Sequence, residues 1–384
     1  MRWLGFLAVA AAIVCATPGG RAEAQQLPVP AETDFRALPK AQGWRMTVLA
    51  EGLEHPWGMS WLPDGTLLIT ERPGRLRVFR EGALEEAPVD GLPEIFAFRQ
   101  GGLLDVSPHP DFASNNFIYL SHSQGSADAN ATVAIRARYA DGKLTDIRQI
   151  FRADPDKRGG FHFGARFLWL PDGSLLITLG DGGLFRDRAQ FLDNHFGKIV
   201  RVKDDGATAT GNPFHPRVDA LPEVWSYGHR NVQAIARDPA SGRIFATEHG
   251  ARGGDELNLV EPGKNYGWPL ATFSREYTGP KISDHTHLPE MENALAVWTP
   301  CIGPSGLAFY TGERFPGWRG NLFAGGLVGE TVIRIVLDAQ GRVSAQERLD
   351  IGHRVRDVRE GPDGYLYLLT DEENGKLIRI EPQV

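Results

Sequence analysis

Trp61-Leu62-Pro63-Asp64-Gly65-Thr66-Leu67-Leu68-Ile69-Thr70 returns, 108 residues later, as Trp169-Leu170-Pro171-Asp172-Gly173-Ser174-Leu175-Leu176-Ile177-Thr178. Nine of the ten positions are identical. In both copies proline fixes φ, and Asp-Gly suits a tight turn. The apolar run that follows is short and β-rich, the pattern of a buried strand. A third copy begins at Pro362-Asp363-Gly364, and looser relatives occupy residues 110–120, 239–247 and 316–324. Further strand candidates trail these units at residues 76–79, 133–139, 199–202, 331–337 and 377–380. The six prolines, at 63, 110, 171, 239, 316 and 362, are spaced by a mean near 60 residues, room for four strands and their turns. This predicts an all-β chain, a six-bladed β-propeller with four-stranded antiparallel blades. One repeat cannot bury both faces of its sheet alone, so residues 25–384 are expected to fold as a single domain. A pair of β-sandwiches explains six copies less well. Uneven spacing places long loops at residues 185–219 and 274–298, where function is expected to sit.

The composition agrees. Gly (45) and Pro (26) in 384 residues favour turns over long helices, and 42% hydrophobic residues supply a core. A net charge of −7 argues against a nucleic-acid partner, which would need clustered Lys and Arg. Arg2, an apolar run over residues 4–16 and the small residues Ala22 and Ala24 have the three-part form of a secretory signal peptide, residues 1–24. The run is shorter than the ~20 residues a spanning helix needs. Cleavage after Ala24 removes Arg2, Arg21 and Glu23, leaving a net charge of −8 and one cysteine, Cys301. No internal disulfide is then possible. No later stretch reaches spanning length, so no stable membrane insertion is expected.

Chemistry-bearing residues recur at one place in the repeat. Gln100 in Arg99-Gln100-Gly101-Gly102, His162 in Gly159-Gly160-Phe161-His162-Phe163-Gly164, and Arg230 and Asn231 in Gly228-His229-Arg230-Asn231 each lie just before a repeat strand. Equivalent positions of a propeller converge on one end of the channel. A lone histidine is more often a structural hydrogen-bonder, yet here it could act as a base near neutral pH. Residues 247–258 add three glycines, Asp255 and Glu256: hard oxygens and freed backbone carbonyls, which is calcium chemistry. The EF-hand spacing is missing, and a solvated acidic loop is the plain alternative. Arg354 and Arg356 alternate and so share one strand face, suited to a multiply charged anion.

Together these motifs resemble the soluble pyrroloquinoline quinone (PQQ)-dependent sugar dehydrogenases, in particular the aldose sugar dehydrogenase branch of the glucose/sorbosone dehydrogenase family. The resemblance runs from about His55 to the C-terminus, through Gln100–Asp105, His162–Arg166, Gly228–Asn231, Glu248–Glu256, Asn265–Pro269 and Arg354–Val358 in family order. It implies a six-bladed propeller with PQQ lying flat at the channel mouth. His162 is then the base that takes the sugar hydroxyl proton as the C1 hydride leaves for the quinone, and the product is a lactone. Arg230 would act beside it, and Gln100, Arg230 and Asn231 would contact the quinone. Gly250 and Ala251 would offer backbone carbonyls to a Ca2+ that also binds PQQ. Glu256 and the Tyr266 carbonyl would hold a second, structural Ca2+. Arg354 and Arg356 would hold cofactor carboxylates, and Tyr277 falls near a further contact. The partners implied are an aldose substrate and an external electron acceptor, for a periplasmic monomer or weak homodimer.

Two positions depart from the family pattern. Val328 stands where some members carry a cofactor-binding lysine, which predicts weaker PQQ binding with more of the load on Arg354 and Arg356. Ala251 stands where relatives often have proline; a carbonyl ligand survives, on a less rigid loop. Two other readings stay open: a calcium-dependent propeller lactonase, and a non-catalytic propeller that binds carbohydrate or protein.

Overall fold

A computed structural model describes residues 27–383. The leader read at residues 1–24 lies outside them. Six sheets follow one another along the chain. Their first strands, which define blades one to six, are Pro56–Trp61, Leu103–Pro108, Phe167–Trp169, Val232–Arg237, Pro304–Phe309 and Val355–Glu360. Neighbouring first strands touch in cyclic order, the sixth meeting the first, so the sheets form a ring. The second strands are Leu67–Glu71, Phe117–Gly125, Leu175–Thr178, Ile244–Glu248, Leu322–Gly326 and Leu366–Thr370. All six repeat prolines lie in the connections between first and second strands. The second strands are where the repeated apolar runs fall. Leu67–Glu71 and Leu366–Thr370 are buried at every position, because each sheet is covered by a neighbour on both faces. The strands trailing the units are found where the sequence placed them, at Arg75–Arg80, Asn130–Ala140, Lys198–Val202, Thr331–Leu337 and Gly375–Pro382.

Apolar clusters fill the seams between blades. Tyr310, Phe323 and Val332 of blade five meet Val358, Leu366 and Ile378 of blade six. Phe245, Leu257 and Trp298 of blade four meet Leu307, Leu322 and Ile333 of blade five. At the hub, Gly306 lets two first strands approach closely: a Cβ there would lie 2.2 Å from the Val358 nitrogen.

Three features differ from the sequence reading. The ring is closed by Trp44–Leu53, which pairs antiparallel with Gly375–Pro382 and gives blade six its outer strand. Blade four carries a fifth strand, Glu32–Thr33, parallel to Ala296–Trp298. The loop expected over residues 185–219 is interrupted by Lys198–Val202, the third strand of blade three. The other long loop occupies residues 261–295, since Ala296–Trp298 already belongs to the sheet. It climbs the edge of the outer strand of blade three, Val224–Tyr227. The Gly263 N–H donates to the Trp225 carbonyl (2.7 Å), Tyr266 to Tyr227 (2.9 Å) and Trp268 to Gly228 (2.8 Å). That path carries Trp268 and Tyr277 to the end of the ring opposite the proline turns.

Candidate functional site

A four-stranded antiparallel blade sends the approach to its first strand and its second connection to the same end. Gln100, His162, Arg230 and Arg354 use the former, and Gly250, Ala251 and Val328 the latter. Five of them, Gln100, Arg354, Gly250, Ala251 and Val328, line one cavity of about 440 Å3. Its walls include Gln100, Gly250, Ala251, Tyr277, Val328, Arg354 and Arg356. Arg72, Arg99 and Trp57 line it as well. His162, Arg230 and Arg354 each precede a first strand and so lie at the same end of the ring.

The next two residues after His162, Phe163 and Gly164, line this cavity, while His162 itself lines a separate space of about 10 Å3 with Lys157 and Gly180. Its backbone N–H donates to Gln100 Oε1 (2.8 Å), and its φ of 54° is left-handed. Its ring Nδ1 meets Asp181 Oδ1 at 2.6 Å. With that N–H given to a carboxylate, Nε2 is left as the proton-accepting nitrogen. Asp181 is in turn fixed by the indole N–H of Trp268 (2.8 Å) and the Gly183 backbone N–H (2.7 Å). Burial holds the His162 pKa below its ordinary value, against the pull of Asp181. Burial alone would raise Asp181, but the imidazole and Arg230 outweigh it and hold the carboxyl below its usual range.

Arg230 lies behind the wall. Nη1 donates to the carbonyls of His249 (3.1 Å) and Gly250 (2.5 Å), Nη2 reaches the Tyr277 hydroxyl (3.4 Å), and the guanidinium covers the Trp268 ring. The Gly250 carbonyl, expected to face a cation, thus already accepts from an arginine; a carbonyl has a second lone pair to offer. The Ala251 carbonyl accepts only from the Cys301 thiol, at 3.6 Å, and burial pushes that thiol up to about 12. Asn231 is buried and does not line the cavity: its Oδ1 takes the Gly164 N–H (3.2 Å) and so braces the histidine segment.

Arg356 is held by Asp371, which also meets His55 and Arg354. Burial would raise Asp371, yet Arg356 and its other partners keep it well below the usual carboxylate range. Arg356 Nε is buried with no partner. Four guanidinium groups therefore line one cavity with two carboxylates: Asp371 is paired with two of them, Arg356 and Arg354, and Asp255 accepts from Gly250 N and Gly303 N, both at 2.8 Å. This donor set fits a planar polycarboxylate such as PQQ.

Glu256 and Tyr266 stand apart, at a separate cavity of about 10 Å3 that Glu248 also lines. Asn258 Nδ2 bridges the two carboxylates, at 3.0 Å from Glu248 and 3.2 Å from Glu256. Burial and the nearby Glu248 push Glu256 up to about 8, while Glu248 is itself met by His229 Nδ1 (2.9 Å) and the Arg230 backbone N–H (2.6 Å). A small hard cation fits there. Among the described residues no three His, Cys, Asp or Glu side chains cluster as a metal site, so any cation would draw on backbone carbonyls.

Sequence reasoning missed Asp181, Arg72, Arg99 and Asp371. Asp181 lies in Leu179-Gly180-Asp181-Gly182-Gly183, directly after the third repeat strand, which was a usable signal. Asp371 comes immediately after the last repeat strand, two positions earlier than Asp181 after its own.

The sequence profile described as glucose/sorbosone dehydrogenase matches residues 53–379. The chain belongs to the glucose/sorbosone dehydrogenase family. It is 43% identical over 345 residues to the aldose sugar dehydrogenase YliI of Escherichia coli, covering 88% of this chain and 92% of that one. Among solved structures it resembles a glucose dehydrogenase with a TM-score of 0.85 and 45% identity, over 87% of this chain and 99% of that one. It also resembles the PQQ-bound aldose sugar dehydrogenase of Streptomyces coelicolor, with a TM-score of 0.72 and 29% identity over 90% of this chain and all of that one. Family membership agrees with the sequence reading and with the six-bladed fold. No helix among the described residues is long and apolar enough to cross a membrane.

Proposed function

We propose that the chain is a PQQ- and calcium-dependent dehydrogenase that oxidises the C1 hydroxyl of aldoses to lactones. The observation that carries this is the set of four guanidinium groups lining one cavity, with a carboxylate-backed imidazole on the segment whose next two residues, Phe163 and Gly164, line it too. When bound, PQQ would supply the acceptor for the C1 hydride, to be reoxidised by an external acceptor. His162 Nε2 takes the hydroxyl proton, and Asp181 holds Nδ1–H and stabilises the imidazolium that results. Gln100 holds the His162 backbone, and Arg72, Arg99, Arg354 and Arg356 receive the carboxylates of the cofactor. Arg230, with Asn231 behind it, keeps the Gly250 loop and Tyr277 against the site. Gly250 and Ala251 offer carbonyls to the Ca2+ beside the cofactor; Glu256 and Tyr266 hold the second Ca2+. Cleavage after Ala24 and export of residues 25–384 to the periplasm, as a monomer or weak homodimer, complete the reading.

The lactonase alternative needs free carboxylates converging in the channel. Asp105 and Asp357, the carboxylates at the hub, are both engaged by Arg166 and Arg359, which favours the dehydrogenase. Mixing metal-free protein with PQQ, Ca2+, an artificial electron acceptor and a panel of aldoses tests the proposal. Dye reduction that requires both cofactors is expected; no turnover on any sugar despite bound PQQ would sink it.

Two further outcomes follow from the geometry. Calcium at a hundred times its dissociation constant should stabilise the protein by about 2.7 kcal/mol, and Glu256→Gln should remove most of that gain. Thermal melting with and without a chelator reads it, and identical curves would count against the cation site. Val328 is 66% exposed at the cavity wall, so Val328→Lys should tighten PQQ by at most ~1 kcal/mol, about fivefold, as an exposed ion pair does. Arg72 and Arg99 already supply positive charge there. Equilibrium titration with PQQ measures it, and a gain of a hundredfold or more would show that these arginines do not share the load.

A further inference from the structure

Lys157 is buried, 5% exposed, and satisfied without a carboxylate. Its Nζ donates to the Phe161 carbonyl (2.7 Å) and sits 3.5 Å from the centroid of the Phe163 ring. These two residues flank His162, and Phe163 lines the cofactor cavity. The Lys157 backbone is bonded both ways to Asn130, which opens the third strand of blade two, Asn130–Ala140 (2.9 and 2.8 Å). One side chain thus ties both neighbours of the histidine to a rigid sheet. The segment needs such ties, because His162 and Ala165 both hold left-handed φ angles, 54° and 86°. A non-glycine residue kept there costs on the order of 1–3 kcal/mol and persists only where its surroundings over-determine it.

Burying an ammonium is itself costly, and an apolar side chain would fill the space more cheaply. The charge therefore asks for a reason beyond packing. The charged groups acting on His162 are Asp181, Arg230 and Lys157; His249, nearby, is kept neutral by burial, its pKa pushed down to about 3. Asp181 favours the imidazolium, whereas Arg230 and Lys157 oppose it. Burial lowers Lys157 to about 7, so its ammonium is lost around neutral pH and predominates on the acid side of it, where His162 titrates.

We propose that Lys157 is a positioning residue for His162: its ammonium ties Phe161 and Phe163 to blade two and offsets Asp181, so that the imidazole stays unprotonated until the substrate delivers a proton. This rests on His162 being the base of the proposed reaction. Removing the charge raises the affinity of His162 for a proton, and the acid limb of the rate profile moves to higher pH.

The test is a nuclear magnetic resonance titration of the full-length protein with labelled histidine, the His162 signal being the one lost in His162→Gln. Lys157→Met should raise the His162 pKa, and Lys157→Arg should restore it. The acid limb of kcat/KM in the PQQ- and calcium-loaded protein should move by the same amount. Lys157→Gln keeps a donor for the Phe161 carbonyl without the charge, and replaces the methionine variant if that one fails to fold. An unchanged His162 pKa in the uncharged variants overturns the proposal. So does a rise that arginine does not reverse, since that assigns the effect to packing. The titration needs neither cofactor nor sugar, so a wild-type protein that oxidises no aldose would sink the proposed function and still leave this result readable.

Discussion

His162→Ala should lower kcat by roughly 10²–10⁴-fold, the usual contribution of a positioned general base, while PQQ affinity changes little. The two effects separate because the groups that would hold the cofactor carboxylates, Arg72, Arg99, Arg354 and Arg356, are on other segments of the ring. The pH dependence follows from the same histidine. Its pKa lies below 6.5 in the folded protein because burial outweighs Asp181. The base is therefore neutral, and competent, through neutral pH, and the rate should fall only as pH drops below that depressed value. Stopped-flow reduction of the loaded protein by an aldose, measured across pH, checks both statements. A variant that keeps more than a tenth of the wild-type rate, or an acid limb well above 6.5, would remove His162 from the role of base.

Arg166→Met should be the most destabilising single change in the hub, at about 3–5 kcal/mol, the cost of removing one partner from a buried ion pair. Arg166 is 2% exposed and meets Asp105 and Asp357, both at 3.3 Å. It also donates to the carbonyls of Gln233 (2.9 Å), Trp57 (3.2 Å) and Arg356 (3.0 Å), which belong to blades four, one and six. The substitution leaves two buried carboxylates with Arg359 as their remaining cation, and three carbonyls without their donor. Trp57, Gln233 and Arg356 line the cofactor cavity, so its floor should loosen too. The urea midpoint of the variant measures the loss. Under about 1 kcal/mol would mean that water or Arg359 fully replaces the guanidinium.

The ring was legible because a second strand buried on both faces must be apolar over most of its length, and that run recurs behind a Pro-Asp-Gly turn, as in Leu67–Glu71 and Leu366–Thr370. Its closure was not, because Trp44–Leu53 is half-exposed at the outer edge of blade six and carries no such constraint. Glu32–Thr33 is too short to leave a pattern. In the site, residues that precede a repeat strand were found by their equivalence: Gln100, His162 and Arg230. Their supports come from after a strand, Asp181 and Asp371, or from a long loop, Trp268, and repeat position says nothing of such reach. Lys157 was overlooked for a different reason. A lysine reads as surface until the fold places a ring and a carbonyl around it.

One measurement bears most directly on the claim that a quinone and His162 work together at this cavity. Protein loaded with PQQ and Ca2+, free of oxygen and of any acceptor, is mixed with excess aldose, and the quinone absorbance and the lactone are followed together. The account expects the absorbance to bleach with about one lactone formed per bound PQQ in a single turnover, and His162→Ala to bind the quinone without bleaching it. Lactone formed without loss of the quinone signal, or bleaching that is as fast in His162→Ala, would contradict it.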